Sequence, residues 1–180
     1  MEDREKLIRE KIEEQEIAEI MQLQGLRQMV WEILINEKKF EQNEIIIDPQ
    51  FKIILKNCEA IVSIDFLISI NSVSFMVIRC TSSTIESWER YVVAFARSVM
   101  DFQIPYAMVT DGEHAKIIDV LKGSLIGESI HDLFSKQQAV NLLKDFQKIP
   151  CPAERIEKEK RIIYAFEGIK CPTPPSSPEV

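Results

Sequence analysis

Residues 61–81 read IVSIDFLISINSVSFMVIRCT, and the fold turns on how that stretch is parsed. Two apolar runs, 61–69 and 73–81, flank the short polar link at 70–72. β-branched and aromatic residues fill both runs and no proline interrupts them. The pattern predicts two buried strands joined by a tight turn, a hairpin. One carboxylate, Asp65, stands inside the first run between Ile64 and Phe66. A lone Asp among apolar neighbours costs free energy unless it is paired or hydrogen-bonded, so Asp65 is the first candidate for function. Strand alternation puts it on the face of Ser63, Leu67 and Ser69. That leaves a plain alternative open, a half-polar face on which Asp65 is solvated or bonded to backbone.

The 180 residues suffice for one domain with a proper core. With 46% hydrophobic and 28% charged residues, the chain has the composition of a globular protein. Its first twenty residues are charged throughout, so neither a signal peptide nor a membrane span is expected and the cytoplasm is the default location. A net charge of −7 argues against a broad phosphate-gripping surface, which needs clustered Lys and Arg, although a local basic patch is compatible with it. Cys58, Cys80, Cys151 and Cys171 lie far apart, form no CxxC and adjoin neither His114 nor His131. Zinc is therefore not indicated, and Cys58 and Cys80 are expected to be reduced thiols in or near the core.

Outward from the central stretch, residues 1–22 form a charged helical segment. Glu10, Glu13, Glu14, Glu16 and Glu19 are set against Arg4, Lys6, Arg9 and Lys11, with spacings such as Glu5–Arg9 that allow pairing along a helix. Its apolar positions (Leu7, Ile8, Ile12, Ile17) are sparse, so it is expected to project or to pack on a partner. Ile20, Leu23, Leu26, Val30, Ile33 and Leu34 then recur at helical spacing as a core-facing stripe. Gly25 is expected to break the two helical segments. Short strands are predicted at 43–47 and 51–55 around Asp48–Pro49, with a turn at Lys56–Asn57 leading into the central stretch.

Beyond it, Ser83 precedes Glu86 by three residues, the capping-box spacing. A helix carrying Trp88, Tyr91, Val92, Phe95 and Val99 should start there. Strands at 104–110 and 115–121 flank the Asp111–Gly112 turn, and 124–126 adds another. His114 beside that turn reads as exposed, and His131 with Asp132 as a capping region rather than a catalytic pair. Helices are predicted at 131–134, 137–146 and 153–168. In the last, Ile156, Ile162, Ile163 and Phe166, with Ile169 just beyond, should dock on the body. The Pro-rich segment 170–180 is expected to be a disordered tail. The domain plan is thus a charged helix at 1–22, a folded body at 23–169 and the tail. The order of elements predicts an α/β sandwich around a mixed sheet, with the central helix crossing between the two hairpins.

That order and several phrases resemble the N-terminal nuclease domain of type I restriction enzyme R subunits, within the PD-(D/E)xK, restriction-endonuclease-like superfamily. LRQMVWEILINEKKF is similar to the first helix of that domain. VSIDFLISINSVSFMVIRC is similar to its metal-site hairpin, IPYAMVTDGEHAKIIDVLKGSLIGE to the following strands, and EKEKRIIYAFEGIKC to the final helix of short stand-alone relatives. The resemblance spans roughly residues 26–166 and implies a three-layer sandwich with a central mixed β-sheet flanked by helices.

It also implies a test of the site. Such enzymes hold Mg²⁺ or Mn²⁺ with an Asp on one hairpin strand and a Glu on the next, and a Lys two residues after the Glu helps to activate water. Hard cations take oxygen ligands, and the transition state needs positive charge near its new anionic oxygens. Asp65 matches the Asp. Arg79 and Thr81 stand at the Glu and Lys positions, a cation and a neutral group. Tyr91 and Phe95 stand for the Gln-x-x-x-Tyr of the central helix, and the acid usual on the first helix falls at Leu23–Gln24, both uncharged. Arg79 beside Asp65 favours an internal ion pair over metal binding, with a depressed Asp65 pKa.

The expected function is that of a catalytically inactive restriction-endonuclease-like module, without a cofactor, that binds DNA or a protein partner. Two alternatives accompany it. One is a Mg²⁺- or Mn²⁺-dependent endonuclease in which the acid has migrated to Glu86 or Glu89, with Asp65 as metal ligand. The other is an oligomeric scaffold built through 1–22. An iron–sulfur cluster, held in some relatives by four cysteines, does not suit the cysteine spacing here.

Overall fold

A computed structural model describes residues 2–56 and 58–167. Helix α1 runs without interruption from Glu2–Glu32 and closes in a π-helical turn at Ile33–Glu37. Gly25 does not break it. A single glycine costs a helix only about 1 kcal/mol, and nothing lies within 4 Å of where its Cβ would be, so no close approach bends the backbone there. Every described side chain from residue 4 to residue 22 is exposed, and packing begins at Leu23. Ile20 was expected in the core stripe but is 56% exposed, because the body ends one turn short of it. Leu26, Val30, Ile33 and Leu34 are buried as the periodicity predicts.

Eight strands follow: β1 Ile45–Ile47, β2 Gln50–Ile54, β3 Glu59–Ser63, β4 Phe66–Ile70, β5 Val73–Cys80, β6 Tyr106–Thr110, β7 Ala115–Asp119 and β8 Ser124–Gly127. Six make a central sheet in the order β1-β4-β5-β6-β7-β8, and β2 and β3 make a small separate sheet. Pairing is antiparallel except between β5 and β6. Those two are parallel because helix α2, Ile85–Ser98, carries the chain back across the sheet between them. Helices α3, Lys136–Leu143, and α4, Ala153–Glu167, complete the fold.

The sheet is sandwiched. On one face Phe66, Ile68, Met76, Ile78 and Met108 pack with Leu26, Val30, Leu34 and Ala139 from α1 and α3. On the other, Leu67, Val77, Ala107, Val109 and Ile118 pack with Tyr91, Val92, Phe95 and Ile163 from α2 and α4, and with Ile53, Ala60 and Val62 from the small sheet. This is the α/β sandwich around a mixed sheet that the order of elements predicts, with the three layers that the resemblance implies.

The hairpin at the centre of the chain is present, turning at Asn71 and Ser72, whose φ values of +51° and +64° suit a two-residue primed turn. Its first strand is shorter than expected. The run 61–69 is not one strand: it divides at Ile64–Asp65, where β3 leaves to pair with β2 and β4 joins the main sheet. The reason lies in Asp65 itself. Its backbone carbonyl accepts the Asp48 N–H (3.1 Å) and its carboxylate accepts the Cys80 N–H (2.9 Å), so a side-chain oxygen takes the place of a ladder partner. Strand alternation does not pass through such a break, and Asp65 does not simply share a face with Ser63, Leu67 and Ser69.

The cap of α2 is also displaced, to Thr84. Ser83 is unavailable because its hydroxyl accepts the Trp88 Nε1–H (2.8 Å) and bonds Thr81 Oγ1 (2.9 Å). The predicted strand at 43–47 begins with a 3₁₀ turn at Gln42–Glu44, so only Ile45–Ile47 is extended. Among the described residues no helix is long and apolar enough to cross a membrane. Cys58, Cys80 and Cys151 are free thiols, the last two buried. Ile169, the 170–180 tail and Asn57 of the predicted turn lie outside the described residues.

Candidate functional site

Asp65 is 5% exposed at the point where β3 and β4 part. Two guanidinium groups reach it from opposite sides. Arg79, on β5, brings Nη1 to 3.7 Å from Oδ2, and Arg27, on α1, brings Nε to 3.5 Å from Oδ1. Neither is a tight hydrogen bond; both are charge neighbours of a carboxylate whose direct bond is to the Cys80 N–H. Arg27 is shared, since its Nη2 lies 2.7 Å from Asp48 Oδ1. The result is a cluster of two carboxylates and two guanidiniums.

Each arginine is held by aromatic rings as well as by charge. Arg79 stacks 4.4 Å from the Trp88 ring centroid and 5.6 Å from that of Tyr91, on the α2 side of the sheet. Trp88, Tyr91 and Phe166 pack around it with centroids 5.2–5.4 Å apart. The Tyr91 hydroxyl donates to Glu167 Oε1 at 2.7 Å, which ties α4 to this cage. Arg27 lies 5.7 Å from the Phe66 ring. It also lines an open cleft of about 330 Å³ with Gln24, Gln28, Trp31, Ile47, Asp48 and Phe66.

The electrostatics correct one expectation. The Asp65 pKa is raised, not depressed: burial is the largest influence, and Arg79, the Cys80 N–H and Arg27 offset it only in part. A guanidinium at 3.5–3.7 Å without a direct bond does not replace the water lost on burial. The same burial, with Asp65 nearby, pushes the Cys80 thiol well above its ordinary range.

The remaining predicted residues do not join Asp65. Thr81 directly follows β5, its N–H donating to the Thr110 carbonyl (3.0 Å) and its hydroxyl bonded to Ser83. Glu89 pairs with Lys116 of β7 at 2.6 Å. Glu86 and Glu89 line a separate groove of about 370 Å³ with Arg90, Val93, Arg97, Ile118 and Gly123. Arg90 and Arg97 do not converge with Arg79. Both bind Glu159 of α4, at 3.1 Å each, and Glu159 is only 1% exposed. His114 pairs with Asp111 (3.5 Å), and His131 Nδ1 lies 3.0 Å from Glu37. Ser129 and Asp132 form the capping box around His131.

A hard divalent cation at Asp65 would need at least one further oxygen ligand facing the same space. The nearby carboxylate, Asp48, is bound to Arg27, and cations stand where ligands would have to be. Among the described residues no three His, Cys, Asp or Glu side chains assemble into a metal site. The donor set does not fit the Mg²⁺ or Mn²⁺ that the nuclease chemistry requires.

Sequence reading found Asp65 and Arg79 and missed Arg27 and Asp48. A signal for Arg27 exists. It lies four and three residues after Leu23 and Gln24, where the first-helix acid was sought, and so falls on the same helical face. Asp48 carries no such signal, because only the pairing of β1 with β4 brings it to Arg27. The family described as type I restriction enzyme R protein N terminus matches residues 24–133, which include Arg27, Asp48, Asp65, Arg79 and both candidate glutamates of α2. No curated protein and no solved structure matches the chain.

Proposed function

The chain belongs to the family of type I restriction enzyme R protein N termini, and from that premise we propose that it is a restriction-endonuclease-like module that binds a protein partner and does not cut nucleic acid. The observation that carries the proposal is the pair of guanidiniums on Asp65, Arg79 at 3.7 Å and Arg27 at 3.5 Å. They occupy the carboxylate that a catalytic metal would need, and the Glu and Lys positions hold Arg79 and Thr81. Phosphoryl transfer without metal or lysine charge loses the stabilisation of its developing anion.

A protein partner is favoured over DNA by where the positive charge goes. Arg27, Arg79, Arg90 and Arg97 all face carboxylates within 4 Å, and the chain as a whole carries −7. Phosphate binding draws on unpaired, clustered Lys and Arg.

Two measurements test the reading. Supercoiled plasmid incubated with the full chain and Mn²⁺ should remain intact; nicking that disappears in Asp65→Ala would establish the endonuclease alternative. Fluorescence anisotropy with a labelled DNA duplex at physiological salt should show no binding beyond the weak non-specific level of about 10⁻⁴–10⁻⁶ M. Tight, salt-dependent binding would make nucleic acid the partner.

A further inference from the structure

A second concave site lies at the far end of the sheet from Asp65. Strand β5 runs from Val73 to Cys80, and Asp65 binds its Cys80 end. At the other end a crevice of about 170 Å³ opens between the sheet and the C-terminal end of α3. Phe75, Tyr106, Leu142 and Phe146 line its apolar part, and Asp119 and Lys122 its polar part. An apolar cavity of about 150 Å³ holds one benzene molecule, so this crevice takes a group of that size.

Its walls are set before any ligand arrives. The Phe75 and Tyr106 ring centroids are 5.0 Å apart, and Phe134 braces them from 5.6 and 4.5 Å. Asp119 stands directly opposite Tyr106 in the β6–β7 ladder and is 8% exposed. Its charge reaches the phenol, whose pKa is raised by burial first and by this carboxylate second.

The two carboxylate oxygens are held differently. Oδ1 accepts the Lys122 backbone N–H (2.9 Å), which shapes the turn between β7 and β8. Oδ2 has a looser partner. Among the described residues the one cation within 4 Å of Asp119 is the Lys122 ammonium, 3.3 Å from Oδ2 on a side chain 78% exposed. A pair so exposed contributes about 0–1 kcal/mol. A carboxylate buried beside apolar walls thus keeps one oxygen next to a position that an ammonium already takes and that little secures there.

We propose that the crevice binds a small primary amine, with its ammonium on Asp119 in place of Lys122 and a benzene-sized apolar group among Phe75, Tyr106 and Phe146. The ring faces add to the attraction of the acid for a cation. The volume is that of one ring and not of a peptide segment, which makes a free small molecule the occupant.

The full chain is titrated by calorimetry and ring-proton NMR with phenethylamine and with 2-phenylethanol, its neutral counterpart of nearly the same shape. Phenethylamine should bind saturably and about tenfold more tightly than the alcohol. Asp119→Asn, which keeps an acceptor for the Lys122 N–H, should bring the amine down to the level of the alcohol. Lys122→Met removes the competing ammonium and should tighten the amine about two- to fivefold, with the alcohol unchanged. Thermal melts identify which variants are folded, and where Asp119→Asn is not, the Lys122→Met comparison decides. Absence of saturable binding to the native chain overturns the proposal. So does an alcohol that binds as tightly as the amine, an amine indifferent to Asp119→Asn, or a Lys122→Met chain that binds the amine no better than the native one.

Discussion

Arg79 Nη1 lies 3.7 Å from Asp65 Oδ2, and the same guanidinium stacks on Trp88 at 4.4 Å. The aromatic ring fixes the cation, and the cation partly offsets the burial of the carboxylate. Removing one partner of a buried charge pair strands the other, at a typical cost of about 3–5 kcal/mol. Arg27 remains near Asp65, so Arg79→Ala should cost less, about 2–3 kcal/mol. In an Asp65→Asn background, where an amide oxygen still accepts the Cys80 N–H, the same change should cost about 1 kcal/mol or less. Urea unfolding of the four proteins gives the coupling energy directly.

The pH dependence of stability follows from the raised pKa of Asp65. In the window between the ordinary carboxylate value of about 3.8 and the higher folded value, the native state binds more protons at this site than the unfolded state. Stability from this group therefore falls as pH rises through the window and is constant above it. Asp65→Asn removes the effect. The stability advantage of the native chain over Asp65→Asn should shrink between pH 4 and neutrality, as read from denaturant midpoints across that range. An advantage that grows with pH would mean that the two arginines overcome burial.

If guanidinium groups exclude the metal, replacing them should admit it. Arg79→Glu with Thr81→Lys and Arg27→Gln places a second carboxylate near Asp65 and removes both cations. Without metal the variant should be destabilised by two unpaired acids. Mn²⁺ at 100 times its dissociation constant should return about 2.7 kcal/mol and leave the native melting temperature unmoved. Thermal shift with and without Mn²⁺ reads both effects.

Glu159 is the acid on which α4 depends. Its carboxylate takes Arg97 and Arg90 at 3.1 Å each, and Arg97 also donates to the Val120 carbonyl at 3.2 Å. Glu159→Ala leaves Arg97 buried without a counter-charge and should cost about 3–5 kcal/mol. Because α4 covers the face that holds Tyr91 and the Arg79 cage, limited proteolysis should cut the variant within α4 first. Glu159→Gln, which keeps one acceptor, should lie between the two.

How much could be read in advance depended on whether the signal was local. The hairpin at 70–72, the α2 stripe from Trp88 to Phe95 and the buried half of α1 were legible because periodicity records which face of an element is covered. The single strand at 61–69 was misread for the opposite reason. Ile64 and Phe66 are apolar on both sides of Asp65, and nothing in the string shows that its carboxylate takes the Cys80 N–H, fifteen residues away. Gly25 and Ile20 misled in another way: a glycine does not break a helix already supported at one end, and a helical stripe does not say where the body stops.

The sequence alone determined the α/β class and the family, because residue type and spacing along the chain specify both of them. Only the tertiary structure decided what became of Asp65. The helix α1 delivers Arg27, the β1–β4 pairing delivers Asp48, and α2 delivers the rings that hold Arg79. The balance between burial and charge at one carboxylate depends on groups far apart in the chain, and their distances exist only after folding.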